Sequence, residues 1–346
     1  MTHTRSRVSQ FFAMVMALLT VAALATTLAA CSDGGAGEGE KILFAPDWTP
    51  NTNQTGLFVA KAKGFFEDTG IDVEILPYNE AGTDVLVDSG QATFGMGTQD
   101  RLTIAKSAGA DIKSVMAVEQ HWATEIAVLA DRADIKSPKD LDGKTFGGFG
   151  EPADEAILKG VIQAAGGKGE FDSVVLNTNA YEALYNKEVD FTIPYVAWES
   201  IEAKKRGIDL KGWRYTDFGF PDNYQIIIFG NQDWMAQHPE ETTKFVQAVQ
   251  RGYQYAIDNP EDAAKILQEE NPELLTDLDL LIESQKTLSG EFMRDADGKF
   301  GRQTEKQWAD LGAFLYDNNL LVDRDGKPLA NQPEWKNFFT NEYLAD

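Results

Sequence analysis

KILFAPDWTPNTNQTGLFVAKAKGFFEDTGIDVEIL, residues 41–76, opens on a short apolar run, KILFA, of strand length. TGLFVAKAKGFFEDTG then spaces its apolar residues at the helical period and closes on Gly70, and IDVEIL alternates as a strand does. The alternation continues downstream: AGTDVLVDSGQA predicts a helix, ATFGMG a strand, QDRLTIAKSAGA a helix and IKSVMAV a strand. The second half starts the pattern again. SPKDLDGKTFGGFG predicts a turn, a helix start and a strand, PADEAILKGVIQAAGG a helix, FDSVVLN a strand, AYEALYNKEVD a helix and FTIPYV a strand. After DNYQIIIFGN the chain reads as helical to near its end. Two α/β units with a helical tail predict a two-lobed molecule, with its ligand in a crevice at the carboxyl ends of the strands.

The chain start argues for export. Arg5 and Arg7 precede an apolar run from Phe11 to Ala30, which ends in Leu28-Ala29-Ala30-Cys31. This predicts a signal peptide over residues 1–30. A membrane-spanning anchor is the other reading of so long an apolar run. Leu-Ala-Ala-Cys resembles a bacterial lipobox, so Cys31 is the expected lipidation site and residues 31–41 a flexible tether. Cys31 is the only cysteine, which excludes a disulfide framework and a cysteine metal site. Without the leader, 316 residues remain, with 29 basic against 55 acidic side chains. Nucleic acid is excluded as a partner for want of a basic footprint.

The blocks DWTPNTNQTGLFVAKAKGFFEDTGIDVEI, GQATFGMGTQD, DLDGKTFGGFG and VDFTIPYVAWESIEAKKRGIDL together resemble the thiamine-precursor branch of type II solute-binding proteins, the NMT1/THI5-like family. The similarity runs from about Ile42 to Asn231. It implies a two-lobed Venus-flytrap fold, with two mixed sheets flanked by helices and a cleft between the lobes. Residues 42–124 with 225–340 would form the first lobe and 125–224 the second. It further implies a monomeric extracytoplasmic protein, anchored through Cys31, that captures a thiamine precursor for the permease of an ABC importer. The expected ligand is an aminopyrimidine such as hydroxymethylpyrimidine or formylaminopyrimidine, with riboflavin or another small heterocycle or anion as the alternative.

A heteroaromatic ligand needs flat faces and a few fixed polar groups at its edge. Trp48, Tyr195, Trp198 and Tyr224 can supply faces, and Asp47, Asn51, Asn53, Glu199 and Asn223 edges. Gly97, Thr98 and Gln99 precede a helix whose amides can meet a polar ligand. By family position, Trp48, Tyr195 and Glu199 form the ring cage and its carboxylate, although Val196-Ala197 replaces the usual short glycine turn. Bland readings stand beside these: Trp48 as a core tryptophan, Asn51 and Asn53 as turn residues, Glu199 as a helix-start carboxylate, and GMGTQD as a tight turn.

An enzyme is the rival class. Eukaryotic relatives are pyrimidine synthases that use a lysine-bound pyridoxal phosphate, a histidine and a cysteine-rich stretch. Here the corresponding segment, residues 95–101, reads Gly-Met-Gly-Thr-Gln-Asp-Arg, with neither lysine nor histidine. No cofactor and no metal are therefore expected. His121 lies near the expected hinge, as a ligand contact or a structural residue, and His238 reads as a surface turn. Two distant histidines make no zinc cluster, and DRDGKPLA lacks the later glutamate of a calcium loop. FGGFGEPADE lacks the spacing of a dinucleotide loop.

Overall fold

The computed structural model describes residues 41–151 and 153–345. The expected leader, Cys31 and the tether up to residue 40 lie outside them. Among the described residues no helix is long and apolar enough to cross a membrane.

Strand β1 (Ile42–Ala45) leads to helices α1 (Thr55–Ala62) and α2 (Phe65–Thr69), then β2 (Val73–Ile75), α3 (Thr83–Asp88), β3 (Phe94–Gly97), α4 (Gln99–Ser107) and β4 (Ile112–Ala117). The single helix expected over TGLFVAKAKGFFEDTG is two. Gly64 adopts the left-handed region at φ 71° and interrupts the run. The chain continues through β5 (Glu125–Leu129), β6 (Thr145–Gly148), α5 (Asp154–Ala164), β7 (Asp172–Val175), α6 (Ala180–Tyr185), α7 (Glu199–Lys205) and β8 (Leu210–Arg214). It returns as β9 (Ile227–Asn231), followed by α8 (Gln232–Gln237), α9 (Pro239–Asp258), α10 (Pro260–Glu270), α11 (Leu278–Thr287) and α12 (Glu305–Asp317).

Two α/β bodies result. In the first, β9 inserts antiparallel between β3 and β4, giving a mixed sheet in the order β2-β1-β3-β9-β4. Its far edge is covered, because Ser114 N–H donates to the Phe338 carbonyl and Thr340 N–H to the Ser114 carbonyl. In the second body β5 pairs antiparallel with β8, and β6 parallel with β7. The strand expected over FTIPYV lies between these pairs but is held only by single bridges, Phe146 with Phe191, Ala127 with Thr192 and Thr124 with Tyr195. Pro194 has no N–H to give the ladder, so regular pairing cannot run through it.

Residues 118–124 and 215–226 carry the chain between the bodies, and they are tied to each other. The amides of Val118 and Glu119 both donate to the Ile226 carbonyl. The Asp222 carboxylate accepts from Trp122 N–H at 2.9 Å and meets His121 Nδ1 at 2.6 Å. His121 Nε2 lies 3.1 Å from the Arg294 carbonyl, so both ring nitrogens face acceptors. The Asp222 hydrogen bond accordingly raises the His121 pKa above its ordinary value of 6.5. His121 is a structural residue of the crossing.

The first body is closed by α9 lying across α1. A Cβ on Gly252 would sit 2.0 Å from the Gly56 carbonyl oxygen, and one on Gly56 would sit 2.2 Å from the Tyr253 ring. The helices therefore meet backbone to backbone. Through that contact the buried Tyr253 hydroxyl donates to the Asn53 carbonyl at 2.6 Å.

Gly252→Ala is expected to cost about 2–3 kcal/mol of unfolding free energy, because the new methyl meets rigid backbone in a packed core; the denaturation midpoint checks it. His121 contributes stability that is full below its unfolded pKa and fades as pH rises through the raised folded value. His121→Ala should therefore lower the melting temperature more at about pH 5.5 than at about pH 9.

Candidate ligand cleft

A cleft of about 530 Å³ opens between the two bodies, with both contributing to its walls. A shallower depression of about 470 Å³ along α11, lined by Asp279, Glu283 and Lys286, has no aromatic wall.

From the first body, Asp47 and Trp48 reach the cleft directly after β1. The following turn is fixed by side chains. Asn51 Oδ1 accepts from Asn53 N–H at 2.8 Å, while Asn51 Nδ2 donates to the Thr49 carbonyl at 2.9 Å. Gln54 Nε2 donates to the Trp48 carbonyl at 3.1 Å and to Asp47 Oδ1 at 3.4 Å. Trp48 is held by its backbone while the residue remains 38% exposed, its ring 5.3 Å from the Tyr78 ring at 51°. Asn51 and Asn53 also line the cleft, and the Asn53 Oδ1 is buried without a partner. The turn and cleft-wall readings of this stretch thus describe one object. Gly97 and Thr98 line the cleft where β3 passes into α4.

From the second body come Tyr195, Trp198 and Glu199. Trp198 N–H donates to the Tyr195 carbonyl at 3.0 Å, closing a turn over buried Ala197 without any glycine. Glu199 begins α7, and its Oε2 accepts from the Tyr195 N–H at 3.0 Å. The carboxylate thereby fixes the loop that carries Tyr195 and still borders the cleft.

Three expected residues lie elsewhere. Gln99 is fully buried: its Oε1 accepts from Tyr224 N–H at 2.9 Å and its Nε2 donates to the Gln307 carbonyl at 3.2 Å. The Tyr224 hydroxyl donates to Gln307 Oε1 at 2.7 Å, so Gln99 and Tyr224 tie α4 to the crossing and to α12. Asn223 is buried, with its Nδ2 on the Pro221 carbonyl. None of the three borders the cleft.

Other lining residues were not singled out by sequence. Trp122, Phe149, Tyr181 and Tyr185 extend the aromatic wall, and Gln225, at the crossing, accepts from Ala123 N–H and the Thr124 hydroxyl. Asp100, Arg101, Glu151 and Asp154 bring charge from the starts of α4 and α5 and the loop before α5. TDVLV and the QDR and ADE helix starts signal helices, and only the fold shows which of their charges face inward.

The acid groups share one electrostatic condition. Burial pushes Glu199 up to about 7, against the opposing Tyr195 N–H bond. Burial also raises Asp47, against bonds from Gln54 and the backbone. Near Tyr195 lies Glu119, fully buried, with the Tyr195 hydroxyl beside its carboxyl group. Desolvation lifts its pKa to about 8. Of these, Asp47 and Glu199 border the cleft, where an N–H donor from a ligand would favour the ionised form. Among the described residues no cluster of histidine, cysteine or acidic side chains is arranged to hold a metal ion.

Known proteins agree with this layout. A 2.0 Å structure of the ligand-binding component of an ABC-type import system from Staphylococcus aureus superposes with a TM-score of 0.65 at 15% identity, covering 88% of this chain and 97% of that one. The shared fold is the two-lobed periplasmic-binding-protein fold. A formylaminopyrimidine-binding protein of Halalkalibacterium halodurans is 28% identical over 315 residues, covering 88% of this chain and 92% of the relative. A 4-amino-5-hydroxymethyl-2-methylpyrimidine phosphate synthase of Saccharomyces cerevisiae is 23% identical, covering 88% of each chain. The family described as NMT1/THI5 like matches residues 51–263. With more than half of its length inside that match, and with the fold to carry it, the chain belongs to the NMT1/THI5-like family.

Proposed function

We propose that the protein is an extracytoplasmic binding component that captures an aminopyrimidine thiamine precursor and presents it to the permease of an ABC importer. One observation carries the ligand class: an exposed Trp48 ring on the first body and the Tyr195–Glu199 loop on the second border the same cleft. Two aromatic faces from separate bodies suit a flat heterocycle, and Glu199 suits its exocyclic amine. The similarity to a formylaminopyrimidine-binding protein points the same way. Hydroxymethylpyrimidine and formylaminopyrimidine are the first candidates.

Residues 42–124 with 225–340 would move as one lobe and 125–224 as the other, about the crossings near 118–124 and 215–226. Ligand stacked on Trp48 would favour the closed form by its extra contacts to Tyr195 and Glu199, a population shift set by that differential affinity. The closed form is what a permease would recognise. Export by the leader of residues 1–30 and lipidation at Cys31 would hold a monomer at the membrane surface. A synthase activity has little support, since residues 95–101 carry no lysine or histidine for its chemistry.

Titration of the mature protein with aminopyrimidines should raise its melting temperature by mass action. Trp48→Ala should weaken binding by about tenfold or more while leaving the unliganded melting temperature near wild type, because the ring packs little. Tight binding of riboflavin with no response to any pyrimidine would move the ligand to the flavins. Failure of every nitrogen heterocycle would end this reading. The Glu199 carboxyl, at about 7, faces Tyr181 and Glu202 as well as the cleft. A ligand amine donating to it favours the ionised form, so affinity should rise with pH through about 7, and Glu199→Gln should flatten that rise.

A further inference from the structure

Beyond its aromatic faces, the cleft carries a charge pattern that the pyrimidine ring alone does not require. Among the described residues lining it, eight are acidic and two are arginines, a stronger bias than the 55 to 31 of the whole chain. The bias concentrates where α4 and α5 begin. Asp100, in the first turn of α4, is only 7% exposed, and its Oδ1 has no hydrogen-bond partner although the residue borders the cleft. Asp154 starts α5, and its Oδ2 is likewise buried and unpartnered. Burial pushes Asp154 up to about 8, and the neighbouring Asp100 and Glu151 carboxylates add to the rise. One cation, Arg101, serves this group, and it is shared: its Nη1 lies 3.4 Å from Glu151 while its Nη2 lies 3.5 Å from Asp84, outside the group.

A helix-start aspartate is ordinarily explained by the helix dipole. The dipole accounts for a negative charge at each start but leaves Asp100 Oδ1 and Asp154 Oδ2 without a protein donor. The same positions also decide which ligands are excluded. Free amides at the starts of two helices attract anions, but in this chain each start already carries its own carboxylate.

We propose that Asp100, Glu151 and Asp154 form a second recognition point in the cleft, which takes a protonated amine on a side arm of the aromatic ligand and turns away anionic derivatives. The inference rests on the aminopyrimidine reading and deepens it by fixing the charge of the arm. An ammonium brings three donors and no acceptor, which suits the buried Asp100 and Asp154 oxygens that lack a protein donor. A phosphate or carboxylate arm would meet like charge at every position except Arg101.

The test is calorimetric titration of the mature chain with 4-amino-2-methylpyrimidines that differ only at position 5. The arms are aminomethyl, hydroxymethyl, formylaminomethyl and the phosphate ester of hydroxymethyl. The aminomethyl compound should bind about tenfold or more tighter than the neutral pair, and the phosphate about tenfold or more weaker. In the chain carrying Asp100→Asn and Asp154→Asn, the ratio of aminomethyl to hydroxymethyl affinity should fall close to one. A neutral arm binding as tightly as the amine, a phosphate preference, or an unchanged ratio in the variant would overturn the recognition point and leave the pyrimidine reading standing. Binding of none of the four would overturn both. The ranking on the unaltered chain decides the matter even if the double variant does not fold.

Discussion

The contact between Gly56 and Gly252 positions the turn that carries Trp48 on the first wall of the cleft. Because neither residue has a side chain, α1 and α9 touch along their backbones, and Tyr253 can pass its hydroxyl to the Asn53 carbonyl. That bond fixes the turn at Thr52–Gln54. Gln54 then holds the Trp48 carbonyl and the Asp47 carboxylate, so the indole projects from a backbone it does not itself stabilise. A ring that packs little but stands on a rigid base suits recognition, since little order has to be created when a ligand arrives.

The second wall reaches the same result by other means. Tyr195 sits beside Pro194, where regular sheet pairing stops, and is held there by a single bridge to Thr124. Its loop is set further by Glu199, which accepts the Tyr195 amide, and by the turn closed by Trp198 over Ala197. The Val196-Ala197 pair suits this turn, because the turn is closed through backbone groups and Ala197 fits a buried site. Glu199 is therefore both a positioning group for Tyr195 and a polar edge of the cleft.

Most of the fold was legible because strand and helix periods are local properties, and the alternation from Ile42 to Asn231 carries them plainly. The departures are also local. Gly64 breaks one helix and Pro194 reduces one strand to bridges, and both residues could be weighed as breakers on sight. The site was legible only where the chain concentrates it. Asp47, Trp48, Asn51 and Asn53 fall in one turn, and Tyr195, Trp198 and Glu199 in another. Thr98 and Gln99 show the limit, since adjacent residues at a helix start face opposite ways, one into the cleft and one into the Tyr224–Gln307 network. Trp122, Tyr181, Asp100 and Asp154 come from segments far apart in sequence, and nothing short of the topology brings them together.

Stability and recognition oppose each other in this cleft. Asp100 and Asp154, which border the cleft, each hold one buried oxygen without a protein donor, a state that disfavours the unliganded chain. A structure selected for stability alone would pair them or replace them with apolar side chains. Retaining them is sensible if the missing donors arrive with a ligand, because the free energy released by that pairing then becomes part of the binding free energy. The clamp of Asp222 on His121 and Trp122 complements this arrangement. It ties the two crossings to each other through one carboxylate.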